Sequence, residues 1–369
     1  MRILFDHQAF SLQVTGGITR YYYEVIRRLN RTAGISADLQ LGFCTTIWPV
    51  REACGSQGKL THWGKRPVPS GVGTYLLNEL ALNPLGLVSP PADIYHNTLY
   101  RFMPGIRARR YVATHHDCTI ERFPHLFRES SLVIAAKKRM LRKADLVFCI
   151  TESCRNDLLE FYSLDPSRTV VLTNGSEPLP QSQSAAQSLR AAVKRPFVLY
   201  VGTRFAYKNF SGLLKAFARS GLQRHYDLLA VGGGAFTNDE MREVRELGLG
   251  QALVSIPLAS PELLGESYAA ASLFVYPSLY EGLGLPPLEA MEKGCPVLAS
   301  ANPASLEVCR NAALFFDPAS GDDFVEKLRL GLEDASGRSE RIENGYTVCK
   351  LYSWDTVVAG MIDSYRALL

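Results

Sequence analysis

The chain predicts two successive open α/β units, each a parallel sheet wound by helices, on three observations. Short β-rich apolar runs alternate with helix-length segments along all 369 residues. The alternation is interrupted by one polar Ser/Gln/Ala-rich stretch, residues 179–195, and then restarts, which marks that stretch as the linker. The length exceeds one ordinary core and suits two. No fixed-period repeat is present. In sheets of this kind ligands sit beyond the carboxyl ends of the strands, and two facing units are expected to make a cleft.

Composition narrows the class. Hydrophobic residues make up 47% and charged residues 21% of the chain, the balance of a soluble globular protein. A net charge of +4 gives little reason to expect a nucleic-acid partner. The basic residues are uneven, with "RARR" at 107–110 and "KKRMLRK" at 137–143, which read either as solvated faces or as contacts to anionic headgroups or a charged acceptor. No apolar run is long enough to cross a bilayer, and "MRILFDHQAF" reads as a strand opening rather than a signal peptide. Cysteines 44, 54, 118, 149, 154, 295, 309 and 349 show no paired metal-ligand spacing and read as reduced thiols of a cytoplasmic protein.

In order, the first half offers the strands "RILFDHQ", "ADLQLGF", "ADIYHN", "RYVATHHD", "LVFCIT" and "TVVLTNG", with "GITRYYYEVIRRLN" and "SCRNDLLEFY" as helices between them. After the polar stretch come "PFVLYVGT", "YDLLAVGGG", "ALVSIPL", "SLFVYPS", "CPVLAS" and "AALFFD". The last segment, "YSWDTVVAGMIDSYRALL", sets Trp354, Val357, Val358, Met361, Ile362 and Tyr365 at helical spacing, a stripe that by pattern alone could cover either unit.

The segment "PSLYEGLGLPPLEAMEKGCPVLAS", 277–300, carries the strongest chemical signal. Glu281 falls in the loop after a buried strand. Pro286 and Pro287 pre-set a helix that Gly294 ends, which places Glu289 near that helix start. Gly282 and Gly284 let backbone approach a ligand. Two carboxylates so placed suit hydroxyl groups; the alternative is a loop acid plus a dipole-favoured helix acid. In "LYVGTRFAYKNF" Arg204 and Lys208, four apart after a strand and a Gly turn, are placed to clamp a diphosphate, or are plain surface cations. "TGGITRYY" sets Gly16 and Gly17 before a helix, a phosphate-cradling pattern of modest specificity without the Gly-Lys-Ser/Thr of a Walker loop. His115, His116 and Asp117 end a strand as a substrate-site histidine or as a structural pair; a zinc site would need a third ligand.

Together these segments resemble the retaining GT-B glycosyltransferases that include bacterial mannosyl- and rhamnosyltransferases of surface polysaccharides. "SLYEGLGLPPLEAMEKGCPVLAS" looks like that family's Glu-seven-Glu motif, "VGTRFAYKN" is similar to its phosphate-clamp segment, and "AALFFDP" and "YSWD" follow in the expected order. The resemblance implies two Rossmann-like domains facing each other across a cleft, residues 1–180 plus 353–369 for the acceptor and 190–352 for the donor. It implies that Glu289 binds ribose hydroxyls, Glu281 the transferred sugar, and Arg204 and Lys208 the diphosphate. Amides of Leu283, Gly284 and Leu285, with Gly17, complete the phosphate cradle, and His116 meets the donor sugar or leaving oxygens. Glu281, His116, Arg204 and Lys208 are thereby the expected catalytic set, and charge stabilisation by the cations implies no metal and no other cofactor. The implied reaction moves mannose or a deoxyhexose such as rhamnose, with retention, from a GDP-linked donor to a lipid-linked glycan, O-antigen or exopolysaccharide, at the inner face of the cytoplasmic membrane. Three departures stand out: Tyr207 occupies the position where an Arg commonly precedes the Lys-Asn pair, Leu283 replaces a usual Phe, and Leu306 stands where Pro is common.

Three other readings are a UDP-sugar-dependent transferase, a non-catalytic nucleotide- or carbohydrate-binding module of the same fold, and an epimerase or phosphorylase. The retained pair Glu281 and Glu289 with Arg204 and Lys208 disfavours the binding module, and no segment offers the cofactor-holding lysine of a phosphorylase. Acceptor identity carries no readable code.

Overall fold

A computed structural model describes residues 1–12, 16–44, 46, 48–54, 58–65, 71–88, 90–257 and 260–369. The chain divides into two compact units, Met1–Gly175 with Trp354–Leu369, and Ser176–Ser353.

The strands of the first unit are β1 (Arg2–Phe5), β2 (Ser36–Cys44), β3 (Leu60–Lys65), β4 (Ala92–Asn97), β5 (Ala108–His115), β6 (Leu146–Cys149) and β7 (Thr169–Val171). They form one sheet in the order β3-β2-β1-β4-β5-β6-β7, every pair parallel. The second unit contains β8 (Phe197–Val201), β9 (Asp227–Val231), β10 (Leu253–Ile256), β11 (Leu273–Tyr276), β12 (Val297–Ser300) and β13 (Ala313–Phe316), in the order β10-β9-β8-β11-β12-β13. Its pairs are parallel too. Strands such as "LVFC" of β6, "LFVY" of β11 and "DLLAV" of β9 are buried throughout, because helices cover both faces of a parallel sheet. Strand order reverses between β1 and β4 and between β8 and β11, the two switch points where such sheets open a crevice. The fold class is the doubly wound α/β arrangement the apolar rhythm predicts; β3, "LTHWGK", is the strand that rhythm did not mark.

The polar stretch 179–195 is not a plain linker. Gln183–Ala192 is a helix, capped by the Ser182 side chain, which accepts from the Ala185 amide at 3.2 Å. It buries Ala185 and Leu189, one turn apart, and packs on the helix Pro261–Ala270. A Cβ at Gly265 would stand 2.4 Å from the Pro180 carbonyl, so the approach needs glycine. The stripe is only two residues wide, which is why composition hid it.

The terminal helix Trp354–Leu368 buries its whole stripe, Trp354, Val357, Val358, Met361, Ile362 and Tyr365, in the core of the first unit. Burying a side chain of this size stabilises by about 1.5–3 kcal/mol. The return is fixed at both ends. A Cβ at Gly175 would lie 2.3 Å from the Trp354 ring, and the Tyr365 hydroxyl meets His96 Nδ1 at 2.6 Å.

The basic runs divide. Arg109 and Arg110 lie near Asp93 and Asp145 at 3.6 and 3.7 Å. On the helix Ser130–Lys143, Lys138, Arg139 and Arg142 are exposed while Lys137 is buried. All eight cysteines are free thiols, buried except for half-buried Cys349. Among the described residues no helix is long and apolar enough to cross a membrane.

Candidate functional site

The switch point of the second sheet gathers most of the expected donor residues. β8 ends at Val201, and the chain turns through Ala206–Lys208 into the helix Phe210–Ser220, with Asn209 at φ 53°. Asn is among the few residues that take this left-handed conformation readily. Its neighbour β11 ends at Tyr276, and the loop after it carries Glu281. The loops are joined by backbone, Leu279 N donating to Tyr207 O at 2.8 Å. Asn302 Nδ2 holds the Ser278 carbonyl at 2.9 Å from beyond β12. Lys208 Nζ donates to Glu281 Oε1 at 2.6 Å, with the side chains 21% and 12% exposed.

Glu289 lies on the helix Leu285–Glu292, one residue beyond its first turn, and is buried. Its Oε2 accepts from the Tyr268 hydroxyl at 3.3 Å. Gly284 precedes the helix at φ 98°, where a Cβ would also press on the Tyr276 ring at 3.1 Å; a side chain is excluded on both counts. Pro286 and Pro287 have no N–H, so the Gly284 and Leu285 amides are the donors left at this helix start, next to buried Leu283. Burial and the Glu281 carboxylate push the Tyr276 phenol well up, keeping it a neutral donor beside that acid.

Arg204 is held by protein groups of its own unit. Its side chain is 4% exposed, and its guanidinium is engaged on every nitrogen. Nε donates to Glu240 Oε1 at 2.7 Å, Nη1 to Gly232 O at 3.1 Å, and Nη2 to Gly234 O and Ala235 O at 3.2 and 2.9 Å. The planar group also lies 4.2 Å from the Phe236 ring centre. Gly232, Gly233 and Gly234 all take positive φ, and a chain bent that way turns its carbonyls toward one point, where the five-donor fork satisfies them. Arg204 thus ties the loop after β9, and of the two expected clamp cations it is Lys208 that stands beside Glu281.

The first unit presents its own residues at strand carboxyl ends. Gly17 begins the helix Gly17–Leu29 after Gly16, and among the described residues nothing lies within 4 Å of a Cβ placed there, so packing does not demand glycine. His116 follows β5, with the ring centres of Tyr21 and Tyr22 5.1 and 5.8 Å from its own and both rings nearly perpendicular to it. Its Nε2 is buried without a hydrogen-bond partner among the described residues. Burial, opposed by Asp117 and reinforced by Lys137, lowers its pKa to about 4, so the ring is neutral at pH 7. Among the described residues no group of three His, Cys, Asp or Glu could hold a metal ion.

Sequence reasoning missed the buried phenols Tyr268 and Tyr276, which look like core aromatics in "ESYAA" and "LFVYP". It also missed Lys137, whose signal was present: in "VIAAKKRML" it stands at core spacing from Val133 and Leu141.

Residues 181–348 match the family described as glycosyl transferases group 1, and residues 15–178 match the one described as glycosyltransferase family 4. The chain is 28% identical over 386 aligned residues to the O-antigen chain mannosyltransferase B of Escherichia coli, covering 100% of both. Among solved structures it is similar to a sucrose-phosphate synthase from Thermosynechococcus elongatus, with a TM-score of 0.77 at 20% identity over 100% of this chain and 99% of the other. It is also similar to Anabaena HepE in complex with UDP-glucose, with a TM-score of 0.76 at 16% identity over 99% and 100%.

Proposed function

This chain belongs to the group 1 glycosyltransferases, and from that premise we propose that it moves mannose, or a deoxyhexose such as rhamnose, from a nucleotide diphosphate sugar to a growing lipid-linked glycan such as O-antigen or exopolysaccharide. The observation that carries the donor half is Lys208 paired with Glu281 at the β8/β11 switch point, with Glu289 on the helix that follows. Lys208 faces the diphosphate, whose charge grows as the bond to the sugar breaks. The Gly284 and Leu285 amides and that of Leu283 cradle the same phosphates. Glu281 accepts from hydroxyls of the transferred sugar and Glu289 from those of the ribose. Gly17 is assigned to the phosphates, and the open space around it among the described residues supports a backbone kept bare for a ligand. His116, neutral at pH 7, donates to or accepts from an oxygen of the donor without adding charge. Arg204 acts through the loop it ties.

Departure of the diphosphate and attack by the acceptor hydroxyl on the same face retain the anomeric configuration, with a phosphate oxygen taking the acceptor proton. Lys208 and the backbone amides supply the charge stabilisation in this reading, which therefore needs no metal. The E. coli relative's mannosyl transfer to O-antigen chains supports the sugar and acceptor class. GDP is the proposed nucleotide carrier; the UDP-glucose held by Anabaena HepE supports UDP as the second reading. The exposed cations Lys138, Arg139 and Arg142 support peripheral contact with an anionic membrane on the cytoplasmic side.

A thermal-shift screen with GDP, UDP, ADP and dTDP, followed by a donor screen with the matching nucleotide sugars, tests the proposal. At one hundred times Kd the preferred nucleotide should add about 2.7 kcal/mol of stability. No stabilisation by any nucleotide, and no sugar released or transferred, would refute it.

A further inference from the structure

Lys137 is a buried cation in the first unit to which the proposed reaction gives no task. It lies on the inward face of the helix Ser130–Lys143, its side chain 8% exposed. Nζ pairs with Glu121 Oε1 at 2.8 Å and donates to the Asp117 carbonyl at 2.7 Å. Glu121, 3% exposed, also accepts from the Tyr162 hydroxyl, and the Lys137 ammonium lies 5.8 Å from the Tyr162 ring centre. The strand end that bears His116 is held from further elements: Cys154 Sγ donates to the His116 carbonyl at 3.1 Å, and Thr119 N donates to Asp117 Oδ1 at 2.9 Å. An ion pair taken this far from water loses much of its attraction to desolvation, so stability alone is a weak reason to build it.

Resting on the role assigned to His116 above, we infer that Lys137 is a positioning residue for glycosyl transfer. Its ammonium, fixed by Glu121, pins the Asp117 carbonyl and so sets the direction in which His116 presents Nε2, which has no hydrogen-bond partner among the described residues. The placement has an electrostatic consequence. The groups around His116 are Asp117 beside it, His115 before it, Lys137 and Glu121 behind that segment, Cys154 on the helix Glu152–Tyr162, Tyr21 and Tyr22 on the helix Gly17–Leu29, and His96 on β4. Burial first, then the Lys137 charge, holds the imidazole neutral against Asp117, which favours its protonated form. A neutral imidazole offers one donor and one acceptor, and which nitrogen carries the proton follows from how the segment is held.

The test is the pH profile of kcat/KM for transfer, in the wild type and in Lys137→Met, Lys137→Arg and His116→Ala. Loss of the ammonium lets His116 protonate more easily, so the acid limb of Lys137→Met should move to higher pH by roughly one unit, while Lys137→Arg keeps the charge and the wild-type limb. If the single variant does not fold, Lys137→Met with Glu121→Gln leaves no uncompensated charge and should show the same displacement. An unmoved limb in either folded variant, with His116→Ala inactive, overturns the role of Lys137. Full transfer by His116→Ala instead overturns the role of His116 and the inference with it, leaving the donor assignments of the second unit standing.

Discussion

Lys208 and Glu281, 73 residues apart in the chain, stand 2.6 Å apart in the fold. Adjacent strands β8 and β11 end beside each other, so the cation assigned to the diphosphate and the carboxylate assigned to the sugar neutralise one another before any donor arrives. A donor entering here replaces one interaction with two.

Glu281→Ala should therefore separate binding from chemistry. Freed from its partner, Lys208 keeps or gains attraction for a nucleotide diphosphate, while transfer falls by roughly a hundredfold or more for want of the hydroxyl acceptor. Calorimetric titration with GDP or UDP beside a transfer assay checks this. Wild-type transfer would remove Glu281 from the site.

Lys208→Met should act the other way. Glu281 is left partly buried without its cation, and the diphosphate loses a charge-assisted partner worth about 1.5–3 kcal/mol, roughly ten- to a hundredfold in affinity. Equal thermal stabilisation of variant and wild type by the preferred nucleotide would contradict the assignment.

Arg204→Met should lower stability before it touches chemistry. The carbonyls of Gly232, Gly234 and Ala235 and the Glu240 carboxylate lose their shared donor, a cost of about 1–3 kcal/mol read by urea denaturation. Undiminished stability together with lost nucleotide binding would restore the direct diphosphate clamp.

Acid should loosen the first unit earlier than carboxylate titration alone would. Burial lowers His96 to about 3 and His116 to about 4, below the ordinary 6.5. The unfolded chain therefore takes up more protons between those values and 6.5, and stability rises with pH across that window. It is fully present above about 6.5 and is lost as pH falls toward 4, by a few kcal/mol in all. Melting curves between pH 5 and 7 should show the midpoint falling with pH; a flat midpoint across that range would contradict neutral burial of these rings.

Much of the candidate site's local geometry was legible because its residues are close in sequence. Glu281, Gly284, the two prolines and Glu289 occupy one strand-loop-helix passage whose local rules fix where each sits. The partners that hold Arg204 were not legible, because they are remote. Spacing placed it one turn from Lys208, but the carbonyls that capture it belong to a loop some thirty residues on, beyond another strand. Lys137 was hidden among six other basic or apolar letters of a run that reads as solvated, and only packing against Glu121 and Asp117 sets it apart.

The sequence by itself determined the alternation of strands and helices, the helix start at Leu285 and the apolar stripe of the last helix, since period, proline and glycine act over a few residues. Tertiary structure alone decided that this stripe is buried beside His96, that 183–192 is a packed helix, and which cation meets which carboxylate. Those outcomes depend on strand order, and strand order is a competition among long-range contacts that no local window contains.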